Sequence, residues 1–331
     1  MQPIRFGVQV NTLEPSDIAE RVRRYEDFGF TSICAIDHLA YEEWSPLTSL
    51  GVVAGLTRTA AVGSPALNLA LHHPVELARA GSVLAAVAAG GCELGIGAGW
   101  LREDWTILGR ELEPAQARAA RIEEAVDIVR GLWTQERTSY DGRFYRIVGA
   151  VAAMPLPLPA MPKLVLGHEY VDLEVAGRHA DIVSLWPFTA GTIESADLQM
   201  RAWARAGTIE YLGELADRAR TAANRAGRDA DDLEFQIEVP VQVVEDDPAV
   251  LNDRLVALTS SGTTGIEMPV REMLDTSIFL AGSPKQVRER ILRQRDRTGL
   301  NYLILQRNSP AEDWDEVERL VTDVVAPLAG R

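Results

Sequence analysis

The chain has 331 residues, 47% apolar and 24% charged, the balance of a soluble globular protein rather than a disordered, fibrous or membrane-spanning one. Its 48 acidic residues outnumber 33 basic ones, and the net charge of −15 argues against sequence-independent nucleic-acid binding, which depends on neutralising phosphates. No charge-free apolar stretch reaches the ~20 residues of a membrane span. The opening MQPIRFGVQV lacks the basic and apolar regions of a secretory leader, and Cys34 and Cys92 each sit alone in apolar runs, so a cytoplasmic protein with reduced, buried thiols is expected.

In chain order, IRFGVQV reads as a strand, and SDIAERVRRYEDFG follows as a helix with Ile18, Val22, Tyr25 and Phe28 on one stripe, closed by Gly29. Asp17 and Glu20 have the spacing of a capping box. TSICAID is too short and β-rich for a helix and reads as a second strand. The alternation repeats: a helix near Ser45 to Thr57, the strand AAVGSPALNLA, a helix from Pro74 to Ala89, the strand CELGIGAG and a long helix from Glu113 to Trp133. The strands KLVLG, DIVSLW, FQIEVPVQVV and LNYLILQ follow, with helical stretches between them.

Roughly eight strand-then-helix units with continuously apolar strands imply a parallel sheet, and over this length they predict a (β/α)₈ TIM barrel. A single barrel domain spanning 1–331 is expected, with loop insertions at about 134–162, 188–207 and 262–284. An open doubly wound sheet is the alternative, but NTLEPS follows the first strand where a glycine-rich dinucleotide fingerprint would stand.

A barrel of this kind carries its site at the C-terminal ends of the strands. The rule selects Gln9 and Asn11, Asp37 and His38, Asn68, then Gly97, Gly99 and Trp100, Gly167 and His168, and Trp186. His38 is one of five histidines; it can exchange a proton near neutrality, and a carboxylate such as Asp37 could fix its tautomer, although adjacent strand residues face opposite ways. The glycines of GIGAGW admit either a flat ligand or tight strand packing. His72 and His73 are adjacent, so they cannot readily share one ion, and no metal is expected. Trp44, Trp100, Trp105 and Trp186 fall on the predicted mouth loops, where they could wall a pocket for a flat cofactor or simply pack in the core. There is no G-x-S-x-G elbow, P-loop or H-E-x-x-H motif.

RFGVQV, YEDFGFTSICAIDHLA, HHPVELA, ELGIGAGWLREDW, RIEEAVDIVRGLW with DGRFY, AGRHADIV and VRERILRQRDRTGLNYLIL are individually weak motifs. In this order and spacing the chain resembles the luciferase-like monooxygenase superfamily, in particular its actinobacterial oxidoreductases dependent on the deazaflavin coenzyme F420. The resemblance implies F420, or alternatively FMN, bedded on the third strand over a bulge near Ser64 to Leu67. A non-prolyl cis peptide is expected there, at the bond between Pro65 and Ala66. It further implies hydride exchange with a small organic substrate, with His38 as proton donor or acceptor, Trp44 bracing the reacting centre, and a homodimeric assembly.

Two departures stand out. The glycine-rich phosphate turn of relatives is GHEYVD here, where Glu169 and Asp172 would repel a phosphate, and Trp100 stands where the sugar-phosphate dehydrogenase branch has glutamate, so a more apolar substrate is expected. An FMN-dependent, dioxygen-using monooxygenase and a non-catalytic barrel that serves as a binding partner are the alternative functions.

Overall fold

A computed structural model describes residues 2–10, 16–41, 44–152, 154–167, 173–186, 207–260, 269–307 and 312–330. Its first half runs β1 (Arg5–Gln9), α1 (Ile18–Asp27), β2 (Ser32–Cys34), α2 (Pro46–Ala54), β3 (Ala61–Asn68), α3 (Pro74–Val87), β4 (Cys92–Gly97), α4 (Arg102–Ile107) and α5 (Ala115–Thr134). After the strands β5 (Arg137–Asp141) and β6 (Arg146–Val151) come β7 (Lys163–Gly167), α6 (Leu173–His179), β8 (Ile182–Ser184) and α7 (Ile209–Arg225). The chain continues through β9 (Glu234–Val239), β10 (Val241–Val244), α8 (Pro248–Ser260), α9 (Val270–Asp275), β11 (Phe279–Gly282), α10 (Pro284–Thr298), β12 (Leu300–Gln306) and α11 (Trp314–Leu320).

Eight strands pair in parallel and close on themselves in the order β1, β12, β9, β8, β7, β4, β3, β2, which is the expected (β/α)₈ barrel. β12 is buried over its first six residues because one face packs on the helical ring and the other fills the barrel. Cys34, Val165, Ile182, Tyr302 and Ile304 form that inner layer. Both thiols are buried, and burial pushes Cys34 up to about 12.

Below the apolar layer, at the strand N-termini, Arg5 pairs with Glu93 at 2.8 Å and with Glu234, and its guanidinium lies 3.3 Å over the Tyr302 ring. The Tyr302 hydroxyl donates to Glu93 at 2.7 Å. Buried charges persist only when paired in this way. The network plugs the lower end, leaving the opposite rim as the place where polar side chains can meet a ligand.

Three local expectations change. FQIEVPVQVV is two strands rather than one: β9 stays in the barrel, while β10 leaves it and pairs with β11 in a separate sheet. Pro240, which has no N–H for a ladder, stands at the break. The Asp17 carboxylate makes no cap hydrogen bond and instead accepts from Arg21 Nε at 3.2 Å, so the capping box does not form. In the 134–162 stretch β5 and β6 pair as an antiparallel hairpin. The Glu124 carboxylate of α5 ties its turn down, accepting the backbone N–H groups of Arg143, Phe144 and Tyr145 at 2.7, 2.9 and 3.0 Å.

Candidate functional site

β2 ends at Cys34, and the chain rises to Asp37 and His38, which point apart as successive residues of extended chain do. His38 Nδ1 lies 2.8 Å from Oδ2 of Asp104, not from Asp37. Asp104, on α4 beyond β4, is fully buried, and its Oδ1 accepts the backbone N–H groups of Leu39 at 2.7 Å and Ala40 at 3.0 Å. One carboxylate therefore fixes both the loop that carries the imidazole and the imidazole itself. Facing an acceptor-only group, Nδ1 carries a proton, which leaves Nε2 as the exchangeable nitrogen.

The expected Asp37 support for His38 is thus corrected. Asp37 Oδ2 instead accepts the Asn68 backbone N–H at 2.8 Å and meets His72 Nε2 at 2.8 Å, joining β2 to the end of β3 and the start of α3. The expected Trp44 brace changes too. The rings beside His38 are Tyr41, with centroids 5.0 Å apart, and Trp100 at 5.5 Å, both edge-on, while Trp44 is 37% exposed. Trp105 is a core residue whose indole N–H donates to the Gly99 carbonyl at 3.1 Å.

The bulge expected on β3 is present as a register shift against β4 between Ser64 and Leu67. The Pro65–Ala66 bond is not cis; among the described residues Leu156–Pro157 is the cis bond found. The glycines of β4 answer to that bulge. A Cβ on Gly95 would overlap the Ser64 carbonyl, and one on Gly97 would come within 2.7 Å of the Ala66 methyl. Gly99, at φ +74°, leaves its space to the Asn68 carboxamide. Of the two readings of GIGAGW, strand packing accounts for the missing side chains.

Gln9, at the end of β1, is buried with neither carboxamide atom partnered, and Ser64 Oγ, Asn68 Nδ2 and Gln236 Nε2 are likewise buried without partners. Buried polar atoms are almost always satisfied, so such a set on the barrel wall marks where a ligand or water completes the bonding. Trp186 packs half-buried against the core beyond β8. Gly167 ends β7, with Ser184 Cβ at an ordinary 3.8 Å from the position of a Cβ. Asn11, His168 and the rest of the GHEYVD turn lie outside the described residues.

Sequence reasoning missed Asp104, Tyr41, the use of His72 and, across the mouth, Glu238 with Gln306. Gln306 Nε2 donates to Glu238 Oε2 at 3.1 Å. Burial pushes Glu238 up to about 7, against the opposing pulls of the Gln306 hydrogen bond and the His38 charge. A signal existed: in EFQIEV the residues Glu234, Gln236 and Glu238 alternate with apolar ones, which in a strand covered on its outer face means a polar row along the barrel interior. Among the described residues no group of three His, Cys, Asp or Glu could hold a metal ion, and no helix is long and apolar enough to cross a membrane.

A closed ring of eight parallel strands with its polar mouth at their C-terminal ends defines the class: a (β/α)₈ barrel. Within that class the chain belongs to the luciferase-like monooxygenase family, whose sequence profile matches residues 1–302. It is 25% identical to an F420-dependent glucose-6-phosphate dehydrogenase of Kribbella flavida, over 98% of each chain. To the enzyme of the same name in Nakamurella multipartita it is 27% identical, over 81% of this chain and 77% of that one. Solved structures share the fold. The coenzyme F420 dependent tetrahydromethanopterin reductase of Methanopyrus kandleri superposes with a TM-score of 0.72 at 17% identity, over 98% of this chain and 99% of that one. A monooxygenase of Streptomyces bottropensis gives 0.70 at 21% identity, over 98% of this chain and 100% of that one.

Proposed function

We propose that the chain is an F420-dependent oxidoreductase moving a hydride between the deazaflavin and a small organic substrate, with His38 as the proton donor and acceptor. The observation that carries it is the His38–Asp104 pair at the barrel mouth, in a chain whose curated relatives are named as F420-dependent enzymes. The residues present suit such a group: the unpartnered polar atoms of Gln9, Ser64 and Asn68 supply hydrogen-bonding capacity beside the β3 bulge. Pro65, Ala66, Asn68, Gly97, Gly99, Trp100 and Gly167 would hold it, with His168 on the turn beyond. When bound, F420 supplies a carbon, C5 of its deazaflavin, that accepts or gives up a hydride.

The chain's own part is proton handling and exclusion of water. In the oxidising direction neutral His38 takes the hydroxyl proton of the substrate at Nε2, and the Asp104 carboxylate behind Nδ1 stabilises the resulting imidazolium. In the reducing direction the proton returns along the same path. Asp37, holding the Asn68 backbone N–H and His72, keeps the end of β3 in place rather than acting on protons. Tyr41 and Trp100 flank the imidazole and screen it from bulk water.

Gln9, Asn11 and Trp186 are assigned to the substrate side. Because Trp100 stands where a sugar-phosphate enzyme would carry glutamate, the substrate is a more apolar alcohol or carbonyl compound than glucose 6-phosphate. We read the chain as one barrel domain, cytoplasmic and homodimeric. Exposed Val52 on α2 and Val83 and Val87 on α3, with uncharged Gly51, Gly55 and Ala86 near them in sequence, support that reading as apolar surface a second copy could cover. An FMN-dependent monooxygenase, favoured by the family's description, is the second reading; it requires FMN binding and substrate-dependent oxygen uptake.

The test is reduction of F420 by a panel of secondary alcohols, followed by loss of the cofactor's visible absorption, in the wild type and in His38→Ala. Bleaching by the wild type and its loss in the variant are expected. Equal rates in the two proteins would remove His38 from the reaction.

A further inference from the structure

The wall formed by β1, β12 and β9 carries two carboxamides that the fold itself leaves unused. Gln9 is fully buried with both Nε2 and Oε1 unpartnered, and Gln236 is 1% exposed with Nε2 unpartnered. Both face the barrel interior. A Cβ on Gly7, two residues before Gln9, would meet Ser32 Oγ and the Tyr302 hydroxyl inside the barrel. Gln236 stands midway between Glu234, which reaches Arg5, and Glu238, which reaches Gln306, so alternation puts it on the same inner face. Only β12 separates β1 from β9, so the two backbones run about 10 Å apart, within the span of one small molecule.

Their register neighbours are committed elsewhere. Gln306, beside Gln9, donates its Nε2 to Glu238 at 3.1 Å. Tyr302, beside Gln236, has its hydroxyl between Glu93 and Ser32. A buried carboxamide without a partner costs folding stability, and a methionine would fill the same space without that cost. Two such groups on one wall are accounted for by a ligand that completes their bonding.

We infer that Gln9 and Gln236 select the substrate: they bind an uncharged amide group that the substrate carries apart from its reacting carbon. The inference deepens, and rests on, the reading of the barrel mouth as the site of a small organic substrate. Gln9 offers a donor and an acceptor and Gln236 a donor, so the partner must accept twice and donate once. An amide does both side by side, its carbonyl taking the two Nε2 groups while its N–H returns to Gln9 Oε1. A phosphate or carboxylate would set negative charge against Gln9 Oε1 and the Glu238 carboxyl. The cations of these strands are engaged, Arg5 with Glu93 and Glu234, and Arg307 with Glu312 and Glu316. The substrate is thus an amide-bearing alcohol or carbonyl compound.

The experiment is a calorimetric titration of the protein with trans-4-hydroxycyclohexanecarboxamide, with the corresponding carboxylate, and with trans-4-isopropylcyclohexanol, which replaces the amide by an apolar group of the same shape. It is run without F420 and again with it, so that a failure of the F420 reading and a failure of this inference are separate results. The amide is expected to bind at least about tenfold more tightly than either analogue, because neither satisfies all three open atoms. In Gln9→Met and in Gln236→Met the preference over the isopropyl compound is expected to fall by about three- to tenfold. Each variant is expected to unfold at a temperature no lower than the wild type, because it removes a buried group that has no protein partner. No binding of the amide at millimolar concentration, equal affinity for the amide and the isopropyl compound, a preference unchanged in both variants, or variants that melt well below the wild type would overturn the inference.

Discussion

At the residue scale the chemistry turns on which carboxylate holds which histidine. CAIDHLA puts an aspartate next to His38, but neighbours on an extended chain point apart, and the partner comes from 66 residues away on α4. No local pattern in the sequence reveals such a pairing, because it depends on how the loop after β4 folds over the end of β2. Asp104→Asn keeps the shape while turning an acceptor-only group into an ambiguous one. It is expected to lower kcat by roughly 10²–10⁴ through loss of tautomer and imidazolium support, with F420 affinity little changed. Steady-state kinetics beside a cofactor titration reads both.

Glu238 makes a second residue-scale prediction. Its carboxyl is raised in the folded protein, from 4.5 to about 7, so the folded state binds the extra proton between those values. The stabilisation is complete below about pH 4.5 and is lost as pH rises through about 7. Denaturant unfolding at pH 5 and pH 8 is expected to show a loss on the order of 2–3 kcal/mol from this group, reduced where the mouth admits water, and absent in Glu238→Gln. A wild type whose stability is flat over that window would contradict the assignment.

At the scale of elements the strand order and most helix positions are legible from apolar runs and their period, down to KLVLG and LNYLILQ, whose limits match the strands. What is not legible follows from tertiary choices. Pro240 breaks the ladder but does not say which side leaves the barrel, and the Asp17 carboxylate prefers Arg21 to the helix end. The β3 bulge follows the same pattern: the family resemblance places it, while its fit depends on β4. Gly95→Ala would press a methyl against the Ser64 and Pro65 carbonyls, so a loss of about 1–3 kcal/mol is expected, with weakened cofactor binding as β3 shifts. Thermal unfolding of that variant beside Gly51→Ala, on an open helix surface, separates the bulge from a general effect of added bulk.

At the scale of the molecule, a lower end sealed by the Arg5, Glu93, Glu234 and Tyr302 network leaves the opposite rim for a ligand, and the unpartnered carboxamides sit toward that rim. The apolar face on α2 and α3 adds a second whole-molecule expectation. Val83→Asp is expected to convert a dimer into a monomer on size-exclusion chromatography with light scattering, and a wild type that elutes as a monomer would dismiss that interface.

Family membership leaves two flavin-type cofactors to choose between, and one measurement separates them: parallel fluorescence titrations of the purified protein with F420 and with FMN. Saturable binding of F420 in the micromolar range, with FMN far weaker, is the predicted result. FMN binding that excludes F420, or no binding of either, would contradict the F420 reading.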